Sequence, residues 1–525
     1  MSGIRNDSRE AGNIARWSQG YVSDVPYTTS FSRESTPIWL AFACLFQGFR
    51  PPDLSRPFRY ADLGCGNGLT TIIVAACSPQ AQVWGFDFNP AHIESARRLA
   101  GHAGLTNVRF VETSFTDLAA LPAAALPAFD FMVSHGVLSW ISPENRAHLT
   151  QVIGQRLSPG GLAYLSYNAA VGWAGVEAIG VLMRTLADLD GDRSDLAIPR
   201  ILDFIDRLEA AGARYFDLQP VLKARLTNAR RQDARYVAHE FLNDHCHPFC
   251  FPDTARAMAD AKCAYIGSAT LTDNMDSISI PPGILPILTE TSDPLLRETL
   301  RDLASAHAFR RDVYRKGAAP MPVSERQARL SGLEFVWTGK SVDGRMTVPA
   351  SAGPVMGSPK IFGPVIRALQ GGRISLSDVN RLAFALGGKP QEALTIITML
   401  VAGGVAHPAL PGTVTTPSRD AGRRINQAIG ALNAAGDDVP CLAAPTIGSA
   451  IETNSLETLV VSSLLDGGSN DPEALSCDVL ERLTRNGRAI LWHNSADSDR
   501  SVSVVGDAVK DILARMGALE ALGLF

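Results

Sequence analysis

The sequence predicts an α/β fold built on a doubly wound parallel sheet, and three observations carry that prediction. Three glycines alternate in Asp62-Leu63-Gly64-Cys65-Gly66-Asn67-Gly68, straight after an apolar-leading segment and straight before a helix-like run at 69–76. Gln82-Val83-Trp84-Gly85-Phe86-Asp87 then reads as a second strand ending in an acid, 19 residues after Gly68. Strand and helix patterns go on alternating at short loop lengths through five repeats, which requires parallel strands.

Bulk properties bound the rest. A chain of 525 residues exceeds one ordinary core, so two to four domains are expected. A net charge of −5 gives no bulk argument for nucleic acid or anionic membranes. Eight irregularly spaced cysteines suit a reducing compartment, and residues 1–20 lack an apolar signal segment, so a cytoplasmic protein is expected. Of two uncharged runs, 37–49 is too short to span a bilayer, and Gly403-Gly404, Pro408 and Pro411 break 393–414. No membrane insertion is expected.

In chain order, Tyr21-Val22-Ser23-Asp24-Val25-Pro26-Tyr27 forms an arm before a proline-started, buried helix at 38–49. The glycines follow. Lacking a Cβ, they let the strand turn sharply and let a ligand touch the backbone, while the next helix aims free N–H groups at it. Asp62 adds a negative acceptor. A dinucleotide loop needs G-x-G-x-x-G, and counting from Gly64 the third glycine falls on Leu69, so a nicotinamide cofactor is disfavoured. Asp87 is placed to accept both hydroxyls of a ribose. A helix from Phe88-Asn89-Pro90 and a third strand at 108–112 lead to Ser114-Phe115. The fourth strand, 128–135, ends in Ser134-His135, with Gly136-Val137-Leu138-Ser139-Trp140 after it. A helix at 143–157 stops at Ser158-Pro159-Gly160-Gly161, and a fifth strand, 162–167, runs through Tyr167 into Asn168. Ligands in such sheets lie outside the strands' carboxyl ends, which here carry Asp62, Asp87, Ser114, His135 and Tyr167-Asn168.

Beyond Gly175 the pattern is helical, with breaks at Gly191 and Gly212 and a basic stretch at 222–235 that reads as a solvated helix face. His239, His245, Cys246, His247 and Cys250 invite a zinc reading, but no second ligand pair follows and no metal is expected. A helix at 252–262 and strands near 264–267 and 310–315 come next. Segments 333–337 and 345–348 flank Asp343-Gly344 as a hairpin, and 349–359 reads as a linker. Three helices at 361–370, 377–386 and 391–401, then a short strand, make a winged-helix-like part. Its Leu394-Thr395-Ile396-Ile397-Thr398-Met399-Leu400 helix has no basic residue, which points to protein contact and away from DNA.

The loop Asp62–Gly68 is similar to the first motif of class I S-adenosylmethionine (AdoMet) methyltransferases. The arm 21–27, Ser134-His135-Gly136-Val137-Leu138-Ser139-Trp140, Ser166-Tyr167-Asn168 and His239-Glu240-Phe241-Leu242-Asn243 resemble one bacterial family within that class. These are the methyltransferases with a methyltransferase regulatory domain, which include protein-lysine methyltransferases acting on bacterial surface proteins. The resemblance is clear over about residues 10–320 and loose beyond.

It implies a seven-stranded, Rossmann-like methyltransferase sheet with a helical insertion and a C-terminal mixed domain. The expected divisions are 1–175 (AdoMet-binding core), 176–247 (insertion), 248–318 (end of the sheet), 319–358 (hairpin and linker) and 359–525. It implies AdoMet on Asp62, Gly64, Cys65, Gly66, Gly68, Asp87, Phe88, Ser114, Phe115, Ser134 and His135. Ser114 stands where relatives carry an acid near adenine. Tyr27, Trp140, Tyr167 and Trp173 would wall the acceptor site, with Asp24, His135 or Asn168 orienting an amine. Three readings follow: a protein-lysine N-methyltransferase, a small-metabolite methyltransferase whose extra domains form a homodimer or lid, and an AdoMet-binding adaptor.

Overall fold

In a computed structural model, residues 17–485 and 498–525 are described, apart from 318, 341, 343–345, 349 and 388–391. Seven strands form the central sheet: β1 (Arg59–Leu63), β2 (Gln82–Asp87), β3 (Val108–Glu112), β4 (Phe129–Ser134), β5 (Leu157–Asn168), β6 (Cys263–Ser268) and β7 (Phe309–Lys316). Their order is β3-β2-β1-β4-β5-β7-β6. The first five are parallel, as alternation with helices requires, and β7 runs antiparallel between β5 and β6. The late strands therefore return to finish the sheet begun before the insertion.

Expectation and structure part at β5. The break at Ser158-Pro159-Gly160-Gly161 does not end the element. Leu157 pairs with Phe129 and Leu162 with Phe131, so the four residues between bulge out within one long strand. The insertion is four main helices, Glu177–Asp190, Ser194–Ala210, Pro220–Ala229 and Ala234–Phe241, around Ile179, Met183, Ile201, Ile205 and Phe241. Its basic stretch is largely paired: Lys223 reaches Glu209 at 3.1 Å, Arg230 meets Asp206, and Arg235 holds Asp233 at 2.7 Å.

The expected hairpin does not form. β8 (Glu334–Trp337) pairs with β11 (Ile374–Ser375) and β12 (Ala406–Pro408), whereas β9 (Met346–Val348) pairs with β10 (Val355–Gly357) inside the expected linker. The turn Asp343-Gly344 lies outside the described residues. The helix Glu392–Ala402 is no docking face either, since Ile396, Ile397, Met399, Leu400 and Val401 are buried in a core shared with the first helix, Pro37–Phe46. The helix Thr416–Ala435 seats Ile425 and Ile429 against Leu69, Ile72 and Ile73 of the helix after the glycine loop. No helix among the described residues is long and apolar enough to cross a membrane.

Candidate active site

Outside the carboxyl ends of the parallel strands lies a cleft of about 570 Å³, walled by the glycine loop, the arm, the end of β4 and the insertion. The loop needs its glycines. At Gly64, φ is +83° and a Cβ would stand 2.5 Å from Val137. Gly66, at φ +53°, has nothing within 4 Å of where its Cβ would be, so its backbone lies open to a ligand. Its N–H donates to Asp87 Oδ2 at 2.8 Å.

Asp87, though only 8 % exposed, is an organising acceptor that also lines the cleft. Oδ1 also takes the Asn89 N–H at 2.9 Å and meets His92 Nδ1 at 3.2 Å. A carboxylate offers about four lone-pair positions, so capacity remains toward the cleft. Asp62, 6 % exposed, accepts from the Thr71 hydroxyl at 2.7 Å. Burial pushes its carboxyl up to about 7; the Thr71 bond opposes that and the nearby Asp87 charge adds to it. Burial also holds the Cys65 thiol protonated, an apolar wall and not a nucleophile.

The arm is tied across this loop. Asn67 donates to Tyr27 O at 3.0 Å, the Val22 N–H donates to Asn243 Oδ1 at 2.8 Å, and His239 Nε2 lies 3.1 Å from Val25 O. Tyr21 packs edge-on against Phe88, centroids 5.7 Å apart, and Tyr27 edge-on against His239 at 5.0 Å. Farther in, Trp140 and Trp173 meet at 6.0 Å, and the Arg225 guanidinium lies over Trp173 at 4.3 Å. His135 Nδ1 sits among the hydroxyls of Tyr164, Ser166 and Ser32, at 2.8, 3.1 and 3.3 Å. Burial and the Arg311 charge hold that imidazole down to about 4, so it is neutral near pH 7.

Of the residues singled out from sequence, Asp62, Gly64, Cys65, Gly66, Gly68, Asp87, Phe88, Ser114, Phe115, His135, Tyr27, Trp140, Trp173 and Asn168 line this cleft. Three others do not. Asp24 is exposed and accepts from the backbone N–H and hydroxyl of Ser194, capping an insertion helix. Tyr167 is buried on the far face of β5, its hydroxyl donating to Asp312 at 2.5 Å. Ser134 donates to Leu63 O at 2.9 Å, stitching β4 to β1. Ser114 lines the cleft, but its hydroxyl donates to Asp117 Oδ2 at 2.7 Å and accepts the Asp117 N–H as a helix cap. Among the cleft residues to which the sequence assigned no role are Arg225, Tyr236, Glu240 and Arg311. Arg225 looked like one charge in a basic run, and Glu240 stood unassigned within a quoted motif. Among the described residues, no group of three or more His, Cys, Asp or Glu is placed to hold a metal ion.

A methyltransferase-domain family model matches residues 61–161, and the family described as a predicted methyltransferase regulatory domain matches 233–316. An uncharacterized protein of Synechocystis sp. is 34 % identical over 450 residues, covering 85 % of this chain and 87 % of that one. A trans-aconitate 2-methyltransferase of Methylobacterium radiotolerans is 36 % identical over 109 residues, 21 % of this chain and 37 % of that one. The structure of PKMT2 from Rickettsia typhi in complex with AdoHcy superposes with a TM-score of 0.68 at 19 % identity, covering 95 % of this chain and 99 % of that one.

Proposed function

This chain belongs to the class I AdoMet-dependent methyltransferases that carry a methyltransferase regulatory domain, and from that premise we propose that its methyl acceptor is the ε-amine of a protein lysine. The observation that carries this reading is the ring of Tyr27, Trp140, Trp173 and Tyr236 lining the same cleft as the glycine loop. Aromatic faces attract an alkylammonium, and a partly dry setting beside a cationic donor favours the neutral amine that reacts. The fold shared along almost the whole chain with PKMT2 supports the same reading.

The cradle fits AdoMet. Asp62 would meet its ammonium, the open backbone at Gly66 would lie along it, Asp87 would accept from the ribose, and Phe88 and Phe115 would flank the base. AdoMet supplies an activated methyl with its own leaving group. The protein's part is alignment, for which fixed orientation is worth up to ~7–11 kcal/mol. The arm, clamped by Asn67, His239 and Asn243, covers the donor and keeps water out.

Arg225 and Arg311 in the cleft favour a second reading, a small carboxylic acid as acceptor. Incubation with methyl-labelled AdoMet and a bacterial lysate separates the two. The lysine reading expects acid-precipitable label recovered as N-methyl-lysine after hydrolysis. Label confined to small molecules would sink it.

A further inference from the structure

The motif His239-Glu240-Phe241-Leu242-Asn243 sends its side chains three ways. His239 and Asn243 hold the arm. Phe241 and Leu242 are buried in the insertion's core. Glu240 joins neither set: half-buried, it lines the cleft beside Tyr236, one turn earlier on the same helix, and the Arg225 guanidinium. Tyr27, Trp140 and Trp173 stand in the same cleft. So does Asn168, whose buried amide nitrogen has no hydrogen-bond partner among the described residues.

A carboxylate kept at an aromatic wall, with no structural bond to the arm, needs a reason. The Tyr236 hydroxyl and the Arg225 guanidinium lie against it, and it lines the cleft in which an acceptor would sit. We propose that Glu240 receives the acceptor amine, pairing with it as an ammonium and then taking the proton that must leave before nitrogen can attack. The inference rests on the amine-acceptor reading above and deepens it.

The step balances. An N–H bond breaks, its electron pair staying on nitrogen, and the proton goes to the Glu240 carboxylate. The neutral amine then forms the N–C bond as the methyl's C–S bond breaks, and that pair remains on sulfur. The product leaves as a methylammonium, and Glu240 returns its proton to water. Asn168 is placed to orient the amine through a hydrogen bond.

The electrostatics agree with this assignment. Burial pushes the Glu240 carboxyl up to about 7, opposed by the Arg225 charge and the Tyr236 hydroxyl. An acceptor near neutrality is well matched to proton removal, whereas His135, held down to about 4, is a much weaker base. The other titratable groups facing Glu240 stay in one state around pH 7. Burial keeps the phenols of Tyr27 and Tyr236 and the thiol of Cys246 protonated. Arg225 stays cationic although burial lowers it.

The test compares the full chain with Glu240→Gln and Glu240→Asp. Each AdoHcy complex is titrated calorimetrically with n-butylammonium, a mimic of the lysine side chain, and each enzyme is assayed for methyl label transferred to lysate protein across pH. The expected result is n-butylammonium binding at least tenfold weaker in Glu240→Gln, with AdoHcy affinity within twofold of wild type. Protein labelling should fall at least 100-fold, the acid limb near pH 7 should vanish, and Glu240→Asp should restore part of the rate. Unchanged n-butylammonium binding or full-rate labelling by Glu240→Gln overturns the proposal. So does loss of AdoHcy binding in both variants, which would mark a structural role. Wild-type enzyme that labels no protein but binds n-butylammonium through Glu240 would discard the protein-lysine reading and leave the amine site standing.

Discussion

At the scale of single residues, the cleft works by choosing which of two neighbours on a strand faces it. Successive side chains of a strand point to opposite sides. His135 and Asn168 therefore reach the cleft, while Ser134 and Tyr167, one position earlier on β4 and β5, are spent on the sheet. The sequence marked the strand ends but not their phase, so both members of each pair looked equally eligible. Asp62 gives a pH prediction. Its value of about 7 lies above an ordinary carboxylate, so the folded chain binds more protons than the unfolded one between about pH 4 and 7. Asp62 thus subtracts stability as pH rises through that window, and a cationic ligand reclaims it by favouring the ionised form. AdoHcy affinity, measured calorimetrically, should tighten by at most about tenfold per pH unit from pH 6 to 7.5, and Asp62→Asn should flatten the dependence. Separately, Asp87→Ala should weaken AdoHcy binding at least ~10-fold, while His135→Ala should lower turnover far more than affinity. Equal AdoHcy affinity in wild type and Asp87→Ala would remove the ribose role.

At the scale of elements, the arginine-rich strand β7 is a largely buried brace. β7 carries Arg310, which reaches Asp302 at 2.6 Å, Asp312 at 2.9 Å and Glu298 at 3.0 Å, and Tyr167 donates into the same cluster. Burial penalises such a set, but removing Arg310 would leave Asp312 in a dry place without its cation, although Arg301 and His307 still pair with Glu298 and Asp302. Arg310→Ala is expected to cost about 3–5 kcal/mol, read as a shift in denaturation midpoint with no change in slope. A shift near zero would mean the cluster is hydrated and dispensable. The glycine loop was legible because its signal is local: strand, turn and helix lie within a few residues. The roles of His239 and Asn243 were not, since each depends on what the arm, some 215 residues earlier in the chain, brings against that helix.

At the scale of the whole molecule, the C-terminal region is bound into the catalytic half. The Trp39 indole donates to Ala269 O at 2.7 Å in a core that continues to Val365, Ile397 and Leu400, and Ile425 and Ile429 pack on Leu69 and Ile73. Proline-rich punctuation at 349–359 suggested a linker between independent parts; composition cannot report that the segment folds back as a strand. Ile425→Ala should therefore cost about 2–5 kcal/mol and lower the midpoint of the entire chain. Two separable transitions, one at each end, would contradict a shared core.

The placement of β7 also bears on how the chain is made. β5 is twelve residues long, and the strand that covers its open side begins only at Phe309, after the whole insertion. At ~5–20 residues per second, a ribosome leaves that edge of unpaired N–H and C=O groups bare for on the order of ten seconds. During synthesis, then, the risk of aggregation is concentrated in one interval, and nascent chains arrested before residue 309 should be the ones that chaperones retain.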